Sequence, residues 1–333
     1  MDDRTKKKLE SFFYFIDKFH ILTILFVLVL VLFVLVRQNV LGLMLGLIFI
    51  VMVAEDVIKG LLKDGVKSEI KELLIGILIA IAVLYGISFL LNTSTPISAV
   101  VTCSMVPQLD RGDMVLIRGT DVKTYGTLYM PDVSVYDITP DARVAIGNMS
   151  MNLEGSIDIY CSKFEDPDTD PFCYEYRRNP EYITEYHGPL AFQYGICERK
   201  SRRSDETFEI PCVVSVKDVY SGQEISLYPH SKEGDIVVYQ PNEGDLFSNV
   251  GDIVHRAVVT VKTKEGTYYL TKGDNNHITD LQIYMPGYGG NHLIPEKNVK
   301  GNVIFGVPIV GYIKLFMSAQ FHMPEQCDYI FNE

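Results

Sequence analysis

The chain has 333 residues, of which 47% are hydrophobic, and a formal net charge of −12. The acidic excess lies mainly in residues 120–230, which hold 19 acidic and 10 basic residues, a net of −9. Phosphate binding requires clustered Lys and Arg, so this distribution argues against a nucleic-acid partner. A solvated acidic surface is the simpler interpretation of the segment, and a specific basic partner is the alternative.

Three apolar runs occupy the first 91 residues. Leu73–Leu91 holds 19 uncharged, mostly apolar residues, enough at about 1.5 Å per residue to cross roughly 30 Å of hydrocarbon. Ile21–Val36 and Val40–Ala54 are shorter, and form either two short spans joined by a tight hairpin or a hairpin that enters the membrane and returns. We therefore predict a membrane region at 21–91 with two or three transmembrane helices, after a cytoplasmic tail at 1–20.

Basic residues before the first run and after the second predict the orientation of the chain. Short segments rich in Lys and Arg stay on the cytoplasmic side of a membrane. The third run then carries the chain out, so everything from about Asn92 onward is predicted to be extracytoplasmic. This predicts a multi-pass protein of the cell membrane or of an endoplasmic-reticulum-like membrane. The basic residues are Arg4, Lys6, Lys7, Lys8, Lys18, Lys59, Lys63, Lys67 and Lys71.

Beyond Asn92 the sequence contains short segments rich in β-branched residues, several of which follow a Gly-Asp turn. This pattern predicts a mostly antiparallel β domain in two parts, residues 92–119 and 231–320. Residues 120–230, rich in Pro, Asp and Tyr, are predicted to form a large β-rich insertion, and residues 321–333 a C-terminal tail. The last apolar run, Val303–Met317, contains glycines, a proline and a lysine. It therefore predicts a strand, with a membrane-surface contact after it as an option, rather than a fourth span.

Four of the six cysteines lie in the predicted insertion. An even number on the outer side of a membrane predicts one or two disulfides, with three connectivities open. Metal binding is the weaker interpretation, because no CxxC pair and no adjacent His is present. Cys103 is interpreted as a small apolar core residue rather than a reactive thiol. No metal and no organic cofactor is predicted.

Three segments carry residues that serve nucleophilic catalysis. Serine attack on an amide needs a base, a group that orients the base, and donors for the oxyanion. Ser104 stands in "TCSMVP", and His255 in the alternating segment "GDIVHRAVV". His255 is either a structural histidine with a satisfied partner or a base presented from a rigid strand. The segment "TKGDNNHITD" holds Asp274 and Asp280, and a carboxylate from it could accept the His255 Nδ1–H.

Taken in this order, the segments resemble the type I signal peptidases, specifically the archaeal and endoplasmic-reticulum branch. The bacterial branch is similar but places Lys where this chain has His255. The resemblance covers roughly residues 75–118 and 232–317. The segments that carry it are the helix Leu73–Leu91, Ser104-Met105-Val106-Pro107, Gly234-Asp235-Ile236-Val237, His255-Arg256-Ala257-Val258, and Gly273–Asn276 with Asp280.

The resemblance implies a role for each of the matching residues. Ser104 would be the nucleophile and His255 the general base, with Asp280 orienting the histidine and Asp274 supporting the loop. Thr102 and the backbone N–H of Ser104 would stabilise the oxyanion. The implied protein is a membrane-bound serine endopeptidase that removes N-terminal signal peptides from exported preproteins. Its implied partners are those preproteins and the lipid bilayer.

Two features depart from that family's pattern. Three apolar runs replace a single helix, and the extra ones anchor the chain or bind a membrane partner. In addition, 126 residues separate Pro107 from Gly234. A non-catalytic, membrane-anchored β domain that binds a partner or scaffolds an export complex is the alternative, and hydrolysis separates the two. A transporter is a weaker interpretation, because the apolar runs carry no internal charge.

Overall fold

The computed structural model describes residues 20–36, 39–63, 66–147, 149–153, 155–164, 169–227, 233–308, 310–317 and 325–331. The predicted cytoplasmic tail, apart from residue 20, lies outside these ranges, as do residues 321–324 and 332–333 of the predicted C-terminal tail. The chain divides into two compact units. One comprises Met1–Leu90 and Pro308–Met323, the other Leu91–Val307 and Pro324–Glu333.

The first three described helices are α1 (Ile21–Val36), α2 (Asn39–Lys63) and α3 (Val66–Leu90). Of the described helices, α3 is the one long and apolar enough to cross a membrane, judged by length and composition. Helix α1 is apolar but has only 16 residues, about 24 Å of helix. Helix α2 carries charged residues in its second half, including Glu55, which pairs with Lys59 over 2.9 Å. Two or three spans were predicted, and one candidate is found. The described helices α1 to α6 are Ile21–Val36, Asn39–Lys63, Val66–Leu90, Ile157–Cys161, Pro171–Arg178 and Tyr312–Met317.

The second unit contains the described strands, most of which pair antiparallel, as predicted. The strands β1 to β17 are Ile97–Ala99, Met114–Arg118, Gly126–Tyr129, Arg143–Ile146, Met149–Asn152, Ile183–His187, Leu190–Ser201, Thr207–Asp218, Glu224–Ser226, Ile236–Tyr239, Ile253–Thr263, Gly266–Lys272, Tyr284–Met285, Gly289–Gly290, Ile294–Pro295, Val299–Val307 and Tyr329–Phe331.

The first sheet is built mainly from the two parts of the predicted β domain. Its strand order is β1-β2-β16-β10-β11-β12-β15, and β3 pairs in parallel with β11. The last apolar run continues β16 only to Val307, and Tyr312–Met317 is helical instead of extended. The β10–β11 pairing places Val237 opposite His255, which fixes the face on which the histidine lies.

The second sheet comes from the predicted insertion. Its order is β5-β4-β6-β7-β8-β9, built around the hairpin of β7 and β8, twelve residues each. Strand β17, from the segment predicted as a tail, pairs with β7. Buried side chains of the hairpin, such as Phe192 and Val216, share one core with Val259 and Leu270 of the first sheet. The insertion is therefore packed into the same unit as the first sheet.

All six cysteines are described and all are paired. Cys161 bonds to Cys173 and Cys197 to Cys212, which selects one of the three connectivities left open by the sequence. Cys103, interpreted as a small apolar core residue rather than a reactive thiol, is buried, but it also forms a disulfide with Cys327 that the sequence did not predict. The residue beside Ser104 is thus covalently tied to the segment that leads into β17.

Candidate active site

Ser104 lies in the turn between β1 and β2. The side chains that follow it, Met105 and Val106, have no exposed surface. Met105 packs with Leu109 and Val115 in a small core, and the Leu109 N–H donates to the Met105 carbonyl over 2.9 Å. Ser104 itself is half-buried. The neighbouring side chains anchor the turn, while Ser104 itself keeps part of its surface exposed.

His255 connects this serine to a carboxylate. Its Nε2 lies 2.9 Å from Ser104 Oγ, and its Nδ1 lies 2.7 Å from Asp280 Oδ2. An ionised carboxylate only accepts hydrogen bonds, so Nδ1 carries the proton in the neutral ring. Nε2 is then free to accept the Ser104 hydroxyl proton. His255 is only 5% exposed, which leaves the serine end of this chain as its accessible end.

The Asp280 carboxylate is held by two further donors. Tyr239 Oη donates to Asp280 Oδ2 over 2.9 Å and Thr271 Oγ1 over 2.6 Å. Burial and then the nearby Asp280 charge raise the pKa of Tyr239 well above its usual range, so its phenol keeps the proton it donates. Asp280 begins a short 3-10 helix, Asp280–Gln282. These contacts fix the carboxylate that faces His255.

Asp274, the other predicted carboxylate, faces a different partner. Arg256 donates from Nε to Asp274 Oδ1 and from Nη2 to Asp274 Oδ2, both over 2.7 Å. Burial acts to lower the pKa of Arg256, but the bonds and charge of Asp274 raise it above its usual value. Both residues are 6% exposed. The question left open by the sequence has a geometric answer: Asp280 contacts His255, and Asp274 forms a buried ion pair.

The Gly273–Asn276 loop also holds the backbone of the serine turn. The Asn275 N–H donates to the Ser104 carbonyl over 2.7 Å, and Asn275 Nδ2 donates to the Cys103 carbonyl over 3.2 Å. A Cβ at Gly273 would lie 2.7 Å from the same Ser104 carbonyl oxygen. Only glycine allows the two segments to approach so closely. The loop therefore positions Ser104 from behind.

Thr102 lies beside the nucleophile candidate. Its Oγ1 is 3.0 Å from Ser104 Oγ, and the side chain is exposed. Once Ser104 donates to His255, the Thr102 hydroxyl can donate to Ser104 Oγ. It can also turn toward an oxyanion that forms at this position.

Comparison with known proteins gives matches with one consistent name. A signal peptidase complex catalytic subunit SEC11 of Tuber melanosporum is 40% identical over 91 residues, 27% of this chain and 45% of the relative. The SEC11 catalytic subunit of Ogataea parapolymorpha is 37% identical over 95 residues, 26% of this chain and 50% of the relative. That of Plasmodium falciparum is 31% identical over 102 residues, 30% and 51% of the two chains.

The chain is similar to signal peptidase catalytic subunits. This confirms the resemblance predicted from the motifs, while its archaeal part finds no support among these relatives. The chain spans about half the length of the curated signal peptidase subunits it matches. No family model matches the chain.

Several residues around Ser104, His255 and Asp280 were not identified from the sequence. Tyr239 lies in a strand outside the quoted segments, and only the folded sheet brings it to Asp280. Thr271 begins the quoted segment that ends at Asp280, but no role was assigned to it. Arg256 and Asn275 were inside the quoted motifs but had no assigned role. Among the residues that the structure describes, no group of three or more His, Cys, Asp or Glu side chains is placed to hold a metal ion.

Lys272 is the remaining unassigned charge near the site. It is 3% exposed, and its Nζ donates to the Gly273 carbonyl over 3.3 Å. Burial lowers the pKa of Lys272 to about 7, against the opposing attraction of Asp274 and Asp280. Near neutral pH the carboxylates of this loop therefore face a lysine that exists in both charge states.

Proposed function

We propose that the chain is a membrane-bound serine endopeptidase that removes N-terminal signal peptides from exported preproteins. The observation that carries the proposal is the hydrogen-bonded series from Ser104 Oγ through His255 to Asp280 Oδ2, accessible at its serine end. The similarity to signal peptidase complex catalytic subunits supports the choice of substrate. The long apolar helix α3 supports attachment to a lipid bilayer.

The first half of the proposed reaction forms an acyl-enzyme. Ser104 Oγ attacks the carbonyl carbon of the scissile peptide while His255 Nε2 accepts the hydroxyl proton. Asp280 holds the ring and stabilises the imidazolium that forms. The Thr102 hydroxyl and the Ser104 N–H donate to the tetrahedral oxyanion. The carbon–nitrogen bond then breaks, His255 returns the proton to the leaving amine, and an ester on Ser104 remains.

The second half releases the signal peptide. A water molecule attacks the ester carbon and gives its proton to His255 Nε2, and the same donors receive the second oxyanion. Collapse of the intermediate breaks the bond to Ser104 Oγ, which takes the proton back. Asp274 does not touch the reacting groups in this scheme. It keeps the Gly273–Asn276 loop in place through Arg256.

The proposed setting is an endoplasmic-reticulum-like or cell membrane, with the β unit on the extracytoplasmic side. Three disulfides agree with an oxidising compartment. The similar proteins are named as catalytic subunits of a signal peptidase complex, which supports assembly of this chain with membrane partners. Helices α1 and α2 are the segments we propose for that contact.

The test is cleavage of a membrane-targeted reporter preprotein by the full chain purified in detergent. Wild type should cut after a small residue, and Ser104→Ala and His255→Ala should lose about 10⁴-fold or more in turnover while staying folded. His292→Ala is the matched control, because His292 also pairs with a carboxylate, Asp245 at 2.7 Å, but is not a member of the Ser104–His255–Asp280 series. Equal activity, or equal inactivity, in all four proteins would instead favour a binding role.

A further inference from the structure

Glu185 lies in β6 of the predicted insertion and has no exposed surface. One oxygen, Oε1, lies 3.0 Å from His187 Nε2, and the other, Oε2, accepts a hydrogen bond from the Tyr194 hydroxyl. Both partners are as buried as Glu185 itself. A buried carboxylate costs several kcal/mol unless its oxygens are bonded. The proposed mechanism uses none of these groups, so their place in the molecule requires another explanation.

One further contact of Glu185 leaves the insertion. Gln282 Nε2 donates to Glu185 Oε2 over 2.7 Å and to Tyr194 Oη over 2.9 Å. At the other end of the same amide, Gln282 Oε1 accepts from the Thr279 N–H over 3.0 Å and from Thr279 Oγ1 over 2.9 Å. Both ends of the amide are bonded, so its orientation is fixed. Thr279 and Gln282 enclose Asp280, and Glu185 therefore holds the turn that presents Asp280 to His255.

The turn needs such support because it has little of its own. It is a three-residue 3-10 helix, and its backbone bonds are long: Gln282 N to Thr279 O and Ile283 N to Asp280 O are both 3.2 Å. Asn291 Nδ2 adds a bond of 3.1 Å to the Asp280 carbonyl. Helical turns this short are not stable by themselves. A displacement of about 1 Å in a catalytic group can cost roughly 10²-fold in rate.

The insertion also contacts the loop that leads to Asp280 at two other residues, His277 and Asn275. The Val213 N–H of β8 donates to the His277 carbonyl over 2.9 Å. Arg199 of β7 donates from Nη2 to Asn275 Oδ1 over 2.7 Å, and Asn275 is the residue that bonds to the Ser104 backbone. The contacts at positions 275, 277 and 282 span the whole loop. The contact through Glu185 differs from the others because it reaches the turn that carries Asp280.

From this arrangement we infer that Glu185 is a positioning residue of the active site, acting through Gln282 and Asp280 on His255. The inference rests on the proposed peptidase function. It assigns a role to the insertion: the insertion supplies, within the same chain, the outer support of the catalytic carboxylate. An acidic segment of this kind then serves catalysis through one of its buried carboxylates rather than through its surface charge.

The protonation of the pair identifies a conservative variant. His187 Nδ1 lies 2.8 Å from the Thr139 carbonyl, an acceptor, so Nδ1 carries a proton and one proton is shared between His187 Nε2 and Glu185 Oε1. A glutamine at 185 can donate its amide hydrogen to His187 Nε2 and keep its oxygen toward Gln282 and Tyr194. Glu185→Gln therefore preserves every hydrogen bond, whereas Glu185→Leu keeps the volume and removes the acceptors.

The experiment is a double-mutant cycle measured with the preprotein cleavage assay on the full chain. Glu185→Leu should lower kcat about 10- to 100-fold with KM within about twofold, and Glu185→Gln should stay within about threefold of wild type. In the Asp280→Asn background, Glu185→Leu should cost less than about twofold further, because its effect passes through Asp280. Gln282→Met tests the same link from the other side if Glu185→Leu does not fold.

Ser215→Ala is the matched control. Ser215 is a buried polar residue of the insertion, 7% exposed, and donates to a carboxylate, Glu224, within the second sheet. It should leave kcat unchanged. The inference is overturned if Glu185→Leu is as active as wild type, if the loss lies in KM, or if the loss is equally large in the Asp280→Asn background.

A second readout does not depend on proteolysis. The proton between His255 Nδ1 and Asp280 should give a low-field NMR resonance, assigned by its absence from His255→Ala. This resonance should shift or broaden in Glu185→Leu and stay in place in Glu185→Gln and Ser215→Ala. An unchanged resonance in Glu185→Leu overturns the inference. If wild type cleaves no preprotein, the proposed function fails, while this spectrum still decides the role of Glu185.

Discussion

Of the histidine–carboxylate pairs described in the β unit, His255–Asp280 and His187–Glu185 are the two with both partners buried. They differ in what the second ring nitrogen of the histidine contacts. His255 has Asp280 on one side and the hydroxyl of Ser104 on the other. His187 has Glu185 on one side and the Thr139 carbonyl on the other. The first pair ends in a half-buried serine, and the second is closed on all sides. A backbone carbonyl has no proton to give up, so His187 faces no donor from which it could accept a proton as a base.

The comparison shows that the types of residue alone do not make a catalytic pair. Both histidines are buried, at 5% and 0% exposure, and both carboxylates accept from a tyrosine. What separates the two pairs is one hydroxyl donor, that of the half-buried Ser104, at the end of the hydrogen-bonded series through His255. We expect the first histidine to take part in turnover and the second to contribute mainly to stability, while Glu185 also acts on turnover through its contact with Gln282.

The largest expected effects, and the strictest test of this difference between the two pairs, come from removing each histidine in turn. His255→Ala should lower turnover by about 10⁴-fold or more and cost little stability, because Tyr239 and Thr271 still donate to Asp280. His187→Ala leaves Glu185 Oε1 unpaired in the core and should lower the free energy of unfolding by about 3–5 kcal/mol. Preprotein cleavage and denaturant midpoints measure the two effects. The opposite assignment of effects would refute the distinction.

A weaker effect tests the accessible end alone. Thr102→Val keeps the shape of the side chain and removes its hydroxyl, and should lower kcat about 10²- to 10³-fold with little change in KM. Thr102→Ser retains the donor and should stay near wild type. Because Thr102 is exposed, neither change should affect the denaturant midpoint. If valine were as active as threonine, the oxyanion would have to be stabilised without this hydroxyl.

The smallest effect concerns the charge beside the catalytic carboxylate. The pKa of Lys272 is lowered to about 7, so between about pH 7 and 10 the unfolded chain holds a proton that the folded chain lacks. The free energy of unfolding should therefore rise with pH in that window. Lys272→Met should be more stable than wild type at pH 7, because methionine has no charge to bury, and should lose that advantage toward pH 10. A constant difference would show that Lys272 does not titrate there.

Much of the first sheet and the central site residues could be predicted from the sequence. The strand around His255 is rich in β-branched residues and has an alternating pattern. The Gly-Asp-Asn-Asn turn identifies the loop that carries Asp274 and Asp280. These are local signals, because each lies within about ten residues. The spacing alone left open which carboxylate meets the histidine, since that depends on how the loop returns to the sheet.

The surrounding residues could not be predicted for a physical reason. Tyr239 and Glu185 reach Asp280 or its turn only through contacts between segments 41 and 97 residues apart. Thr271 lies nine residues from Asp280, but nothing in the local pattern shows that its hydroxyl faces the carboxylate. The bond of Cys103 to Cys327 joins positions 224 apart, and connectivity does not follow from sequence. The helix Tyr312–Met317 was predicted as part of a strand because a short apolar run suits either element.

The distances along the chain between the site residues impose an order on its assembly. Ser104 precedes its base by 151 residues, and the base precedes Asp280 by 25. At about 5–20 residues per second of synthesis, a growing chain carries the serine for roughly 8–30 s before its histidine exists. During that interval the hydroxyl is an ordinary alcohol that cannot attack a neighbouring nascent peptide. In the proposed peptidase, the reactivity of Ser104 would therefore begin only after the distal half of the β unit has folded.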